Sequence, residues 1–447
     1  MSTDLRDGLH ALAQRRAPAV APPDLWRRGV RRQRRVRLAT TGLVLAAVTL
    51  GVVGTAVVGD ALRTAPPPPA GTRAEGAIPD RLHTPSPWLD GTQGEPPGPL
   101  AVIAGAERLT GWRGTVVNGW VGVSAGTGEY RFLDLPGAVD LGAEDMLGSE
   151  TDPSLSPDGT AVAYWLTHPE NADWVGGWAS YDTVTGEVVR HRVPSRLGLS
   201  PETLEWVGND TVLVEHSVVT QRSSDSLSAT GRPLVLWSAT TDALVRPADD
   251  PVPVGSVWTT SRGIATVTGR RVELRDAGTG EARARFAVRP RRDVQDGAVD
   301  ADGRAVALLP HSSQLSVRTL LVGELPRDGT RGSVAVEPLR VGVELYAVLG
   351  WKDAEHVLVR GALPGSTRRY GGIYAVDVGT GRRELLVRET RENWIGSPVY
   401  AAELWARPPV SRPAPDRAYD PRWLAGAGVA AVGSLVLLVR WRRRARR

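Results

Sequence analysis

"DPSLSPDGTAVAYW", Asp152 to Trp165, decides how the rest of the chain is read. A short apolar flank runs into Ser-Pro-Asp-Gly, and an alternating apolar run follows. Pro157 presets one backbone angle of the turn, and Asp158-Gly159 supply the local side-chain bonds and the positive φ that a tight reversal needs. The stretch therefore reads as two strands and a connector, not as a catalytic loop.

Similar hairpins recur between residues 100 and 405: "LEWVGNDTVLVEH", "VWTTSRGIATV", "AVDADGRAVALL" and "VLGWKDAEHVLV". Between them stand three Asp-x-x-Thr-Gly turns, at Asp182, Asp276 and Asp377, each flanked by alternating runs. Looser equivalents begin at Ser238 and Pro326. The spacing of about 38 to 56 residues is a blade period. A further unit can be assembled from "AVIAG", "GTVVNGWVGVS" and "YRFLDL" near its start and "SPVYAAELW" near its end. Closure by strands from both ends leaves no free sheet edge at the seam. The expected fold is all-β, a six-bladed or alternatively seven-bladed β-propeller, with one transmembrane α-helix on each side of it.

The Ser-Pro-Asp-Gly hairpin followed by an apolar strand resembles the TolB-like and WD40-like propeller repeats. The full motif occurs once, at Ser156 to Gly159, and Asp302-Gly303 keeps its end. The layout also looks like membrane proteins of high-GC actinobacteria, as does the preference for Arg over Lys, of which Lys352 is the single example.

Two uncharged segments flank the repeats. Leu38 to Val58 has the length of a membrane-crossing helix, and Trp423 to Val439 is bracketed by Trp423 and Trp441. Ten Arg against three Asp precede the first, and six Arg follow the second, so the chain between them is net negative although the whole carries +5. The positive-inside rule then places both termini in the cytoplasm. The expected organisation is a cytoplasmic arm 1–37, helix 38–58, Pro-rich linker 59–99, extracytoplasmic propeller 100–405, linker 406–422, helix 423–439 and basic tail 440–447. The expected location is the cell membrane, crossed twice.

Charge confined to the ends removes the case for a nucleic-acid partner. The expected partners are the lipid bilayer, an extracytoplasmic protein, peptide or glycan, and a cytoplasmic protein at residues 1–37. With no Cys, thiolate metal sites and Cys nucleophiles are excluded. The seven His show no ligand spacing, "GVSAG" around Ser124 lies in a strand rather than at a strand-to-helix elbow, and the glycines from Gly426 lack a βαβ context. No catalytic, cofactor-binding or metal residue is assigned, and no enzyme activity is expected.

The expected function is non-catalytic binding or scaffolding, with transmembrane signalling as the alternative and a propeller lyase or hydrolase third. Convergence of His, Asp or Arg side chains from several blades would mark the third. Long b–c loops at 167–176, 217–230, 310–317 and 361–371 should collect on one rim, where a rigid scaffold displays binding residues. Trp174, Trp178, Arg368, Arg369 and Tyr370 are the candidate binding residues there.

Overall fold

The computed structural model describes residues 76–110, 115–139, 151–222, 227–231, 233–247, 256–289, 293–311, 317–327, 331–363, 371–390, 394–415 and 421–445. The chain divides into two compact units, Ala70–Asp420 and Met1–Pro69 with Pro421–Arg447.

In the larger unit the strands form antiparallel four-stranded meanders in chain order. The first begins with a strand from the far end: Trp394–Tyr400 pairs with Leu100–Thr110, followed by Thr115–Ser124 and Tyr130–Leu133. The second is Ser154–Leu155, Ala161–His168, Asn171–Asp182 and Val188–Arg192. The third runs through Leu199–Trp206, Thr211–Arg222, Leu234–Ser238 and Leu244–Val245, with Leu227–Thr230 as a side strand. The fourth is Ser256–Thr260, Gly263–Thr268, Arg271–Arg275 and Ala282–Arg289. Val294–Val299, Ala305–Pro310, Val317–Glu324 and the start of the long strand Arg331–Trp351 make the fifth. The end of that strand opens the sixth, with His356–Ala362, Gly372–Asp377 and Arg383–Glu389.

Each meander buries apolar side chains against the next. Second and third share Trp165, Val212 and Val235; third and fourth share Leu213 and Ile264; fourth and fifth share Phe286 and Leu308; fifth and sixth share Ala298 and Val357. Ile103, Tyr164 and Leu358 lie in one cluster that joins the first, second and sixth. The order of shared cores is therefore cyclic.

The Asp152–Trp165 hairpin touches segments from both ends of the repeats. Asp158 accepts hydrogen bonds from Ser156 Oγ (2.8 Å), Thr160 N (3.0 Å) and Thr160 Oγ1 (2.8 Å). Gly159 has φ +77°, and a Cβ there would collide with the Leu100 carbonyl. Leu100 N donates to Gly159 O at 2.8 Å and Glu403 N donates to Pro157 O at 2.8 Å. The other recurring turns share one geometry: Asp182, Asp276 and Asp377 each accept two backbone N–H groups on one carboxylate oxygen. Ser124 and Ser238 take the same place with a hydroxyl, accepting from Thr127 N and Thr241 N. Asp242 holds the terminal glycine's place at φ +59°.

Three expectations change. Residues 76–99, expected as the end of a linker, are packed: Ile78 and Leu82 are buried, and Arg81–Leu82 pairs in parallel with Arg388–Glu389. The expected long loops at 167–176 and 217–230 are mostly strand, because His168 turns directly into Asn171 and Thr211–Arg222 extends to meet Leu227–Thr230. The third correction is the location. Among the described residues no helix is long and apolar enough to cross a membrane. The helix α1, Pro421–Ala445, carries Arg440 and Arg442–Arg444 within it. Its uncharged run, Trp423 to Val439, is closed by Arg422 and Arg440 and is shorter than the about 20 residues that a span takes. The expected two-pass membrane location is therefore not supported by the described residues. Segment 38–58 and arm 1–37 lie outside the described residues.

Candidate functional site

The leading strands of the meanders bring together carboxyl groups that are far apart in sequence. Glu205, in Leu199–Trp206, accepts from Ser154 Oγ of the second meander at 3.0 Å. Asp296, in Val294–Val299, accepts from Ser256 Oγ of the fourth and from Val348 N of the sixth at 2.7 Å. Asp152 stands just before Ser154 and is partly buried. Each carboxyl but Asp152 thus ties its own strand to a neighbour's.

Indole groups run alongside. Trp206 donates to Ser154 O (2.9 Å), Trp258 to Gly297 O (2.6 Å) and Trp351 to Ala298 O (3.4 Å), each across to another meander's leading strand. This tie explains the Trp in three of the repeated hairpins.

The carboxyls feel one another. Glu205 is pushed up to about 7, chiefly by the protein around it and further by the charges of Asp296 and Asp152, against the Ser154 hydrogen bond. Its side chain nonetheless reaches solvent. Burial raises Asp152 to about 6. Burial also raises Asp296, opposed by its hydrogen bonds and by Arg360. Carboxyls that hold protons near neutrality can donate them, which is acid–base capacity. Among the described residues no group of three or more His, Asp or Glu side chains is placed to hold a metal ion.

Beside this cluster the first and sixth meanders are locked by a buried triad. Arg360 Nε donates to Glu389 Oε1 (3.1 Å), Tyr400 OH donates to the same oxygen (2.9 Å), and Arg360 Nη2 donates to Pro398 O (2.7 Å). Burial and the Glu389 charge hold the Tyr400 phenol well above its usual range.

The candidate binding residues separate. Trp174 is partly exposed and lies under the Arg222 guanidinium, 4.9 Å from ring centroid to Cζ, with the His168 ring at 5.8 Å. His168 Nδ1 accepts from Glu170 N and Nε2 faces Ser195 O at 3.0 Å, which assigns the proton to Nε2. Trp178 is 1% exposed, stacked on His191 at 4.7 Å and edge-on to Trp165 and Trp237. It is a core residue between two sheets, not a rim anchor, because the strand Asn171–Asp182 carries it inward. Arg368, Arg369 and Tyr370 lie outside the described residues.

Sequence reasoning did not single out Glu205, Asp296 or Asp152 as a cluster. Each looked like an ordinary polar residue flanking a turn. The available signal was a carboxylate on an otherwise apolar leading strand, at the same stage of two repeats.

No protein-family model and no curated protein matches the chain. Among solved structures, a chain of Kuenenia stuttgartiensis hydrazine synthase aligns at 12% identity over 58% of this chain and 69% of that one, with a TM-score of 0.35. A superposition that loose carries no argument, so the account of the fold rests on strand pairing and burial.

Proposed function

We propose that residues 76–415 form a six-bladed propeller of the TolB-like or WD40-like kind that acts as a non-catalytic binding module. The observation that supports this most is the cyclic sharing of cores, sealed by Trp394–Tyr400 pairing with Leu100–Thr110. A ring so closed is a rigid platform, and rigid platforms display ligands' contacts at their loops and flanks. Trp174 with Arg222 is the described aromatic and cationic pair best placed for contact. The test is full-length protein applied to peptide and glycan arrays beside a Trp174→Ala variant. Ligands retained by the wild type, lost by the variant and recovered unaltered are expected; an array that retains nothing overturns the reading.

A second reading, a lyase or hydrolase, is favoured by the carboxyls of Glu205 and Asp296 on the leading strands of the third and fifth meanders and of Asp152 just before that of the second, since the charges of Asp152 and Asp296 reach Glu205. Its mark is product release from arrayed glycans or peptides with a pH limb near 7, abolished by Glu205→Gln.

A further inference from the structure

The last strands of the meanders differ in one respect, whether anything pairs with their outer edge. Tyr130–Leu133 is bridged in parallel at Phe132 by Gly91. Arg383–Glu389 is capped in parallel by Arg81–Leu82. The fourth and fifth meanders cap each other, with Arg285 to Arg289 paired in parallel to Arg331 to Ala335. Val188–Arg192 of the second meander pairs only with Asn171–Asp182 among the described residues. The remaining edge, Leu244–Val245, is two residues long.

The open edge has a defined hydrogen-bonding face. Asp182 N donates to Glu187 O and Val193 N to Gly176 O. By antiparallel alternation, Val189 and His191 also bond inward, and the backbone N–H and C=O of Val188, Arg190 and Arg192 point away from the sheet.

The arginines at and beside this edge have no carboxylate partner among the described residues, whereas His191 is paired with Asp242. Arg190, Arg192 and Arg196 are exposed. Arg192 donates to the Thr167 carbonyl, and none of the three has a carboxylate partner among the described residues. On the corresponding strand of the fourth meander Arg283 pairs with Asp276 and Arg285 with Glu273. Like charges left unpaired along an open edge discourage self-association while leaving the strand available to an acidic partner.

We propose that Val188–Arg192 is a docking edge for an extended acidic peptide segment of a partner protein, added as a parallel strand with carboxylates at alternate positions facing Arg190 and Arg192. The parallel sense follows the three caps that the chain already makes on its other edges. This deepens the binding-module reading and rests on it. Alternation matters because residues two apart lie on one face of a strand.

The probe is a fluorescent peptide alternating Glu and Val, with a Lys/Val peptide of the same length as control, added to the full-length protein at low salt. Fluorescence anisotropy reports binding and amide hydrogen exchange locates it. Expected are slowed exchange at 188–192, weakening by salt, no binding of the Lys peptide, and about tenfold weaker binding in Arg190→Glu/Arg192→Glu. Because both side chains are exposed, that variant should keep the wild-type melting temperature. Val188→Pro, which removes one outward N–H and keeps both arginines, should also weaken binding. Equal binding of both peptides, no binding of the acidic one, or protection elsewhere overturns the proposal. Loss of array ligands in Trp174→Ala with no protection at 188–192 would leave the binding module standing and remove this edge from it.

Discussion

The fourth and fifth meanders and the second and third are built to one plan, yet their outer edges end differently. In the former pair the outer strands zip together in parallel and Phe286, Val334 and Val336 fill the space between. In the latter the outer strands stay apart, and the described polar side-chain link between them is His191 Nδ1 to Asp242 Oδ1 at 2.8 Å. The difference shows that a repeat determines strands and turns while leaving edge pairing to lateral geometry. A sealed pair should behave as one cooperative block, and an open pair should tolerate change at its rim.

The sharpest way to break that contrast is Phe286→Ala, which empties the sealed pair's centre. A loss of about 3–5 kcal/mol is expected, read by denaturant unfolding, with exchange rising at 285–289 and 331–335. Equal loosening at 188–192 would show that the two pairs are not distinct blocks. Proline scanning gives a second comparison. Ala287→Pro lies in a strand paired on both sides and should cost about 3 kcal/mol or more, whereas Arg190→Pro removes an outward N–H and should cost under about 1 kcal/mol. Similar melting temperatures for the two would erase the distinction.

Gly159→Ala tests the clasp. The new Cβ meets the Leu100 carbonyl in a left-handed backbone, and a loss of about 1–3 kcal/mol is expected. Exchange should rise first at 100–110 and 394–400; protection there unchanged would mean that these two strands are held elsewhere.

The smallest expected effect concerns pH. Glu205 ties the open pair and holds its proton up to about 7 when folded, above its ordinary 4.5. Its contribution is therefore fully present below about pH 4.5 and fades as pH rises through about 7. Between pH 5.5 and 8 the melting temperature should drift downward. Glu205→Gln should flatten that drift and raise the melting temperature at pH 8. An unchanged slope would assign the drift to other groups.

Much of the scaffold was legible. The Ser-Pro-Asp-Gly hairpin and the Asp-x-x-Thr-Gly turns follow from local chemistry and period-two alternation, and the pairing of Val399 and Tyr400 with Ile103 and Val102 follows from the need to complete a unit with strands from both ends of the repeats, although Ala402–Ala406 is a 3-10 turn and not strand. Trp178 was misplaced because an aromatic beside an expected loop looks the same whether it faces solvent or a neighbouring sheet. The long loops were misjudged because polar strands such as "NADW" lack the apolar alternation that signals a strand.

What the sequence determined by itself is local: which residues turn and which alternate. Bonds between neighbours in the chain need no knowledge of the fold. Only the tertiary structure decided that the charges of Asp152 and Asp296 reach Glu205, that Gly159 lies against Leu100, and that Val188–Arg192 pairs on one side alone among the described residues. Those facts depend on how sheets face one another, and a side chain's partners on another sheet are not encoded in its neighbours along the chain.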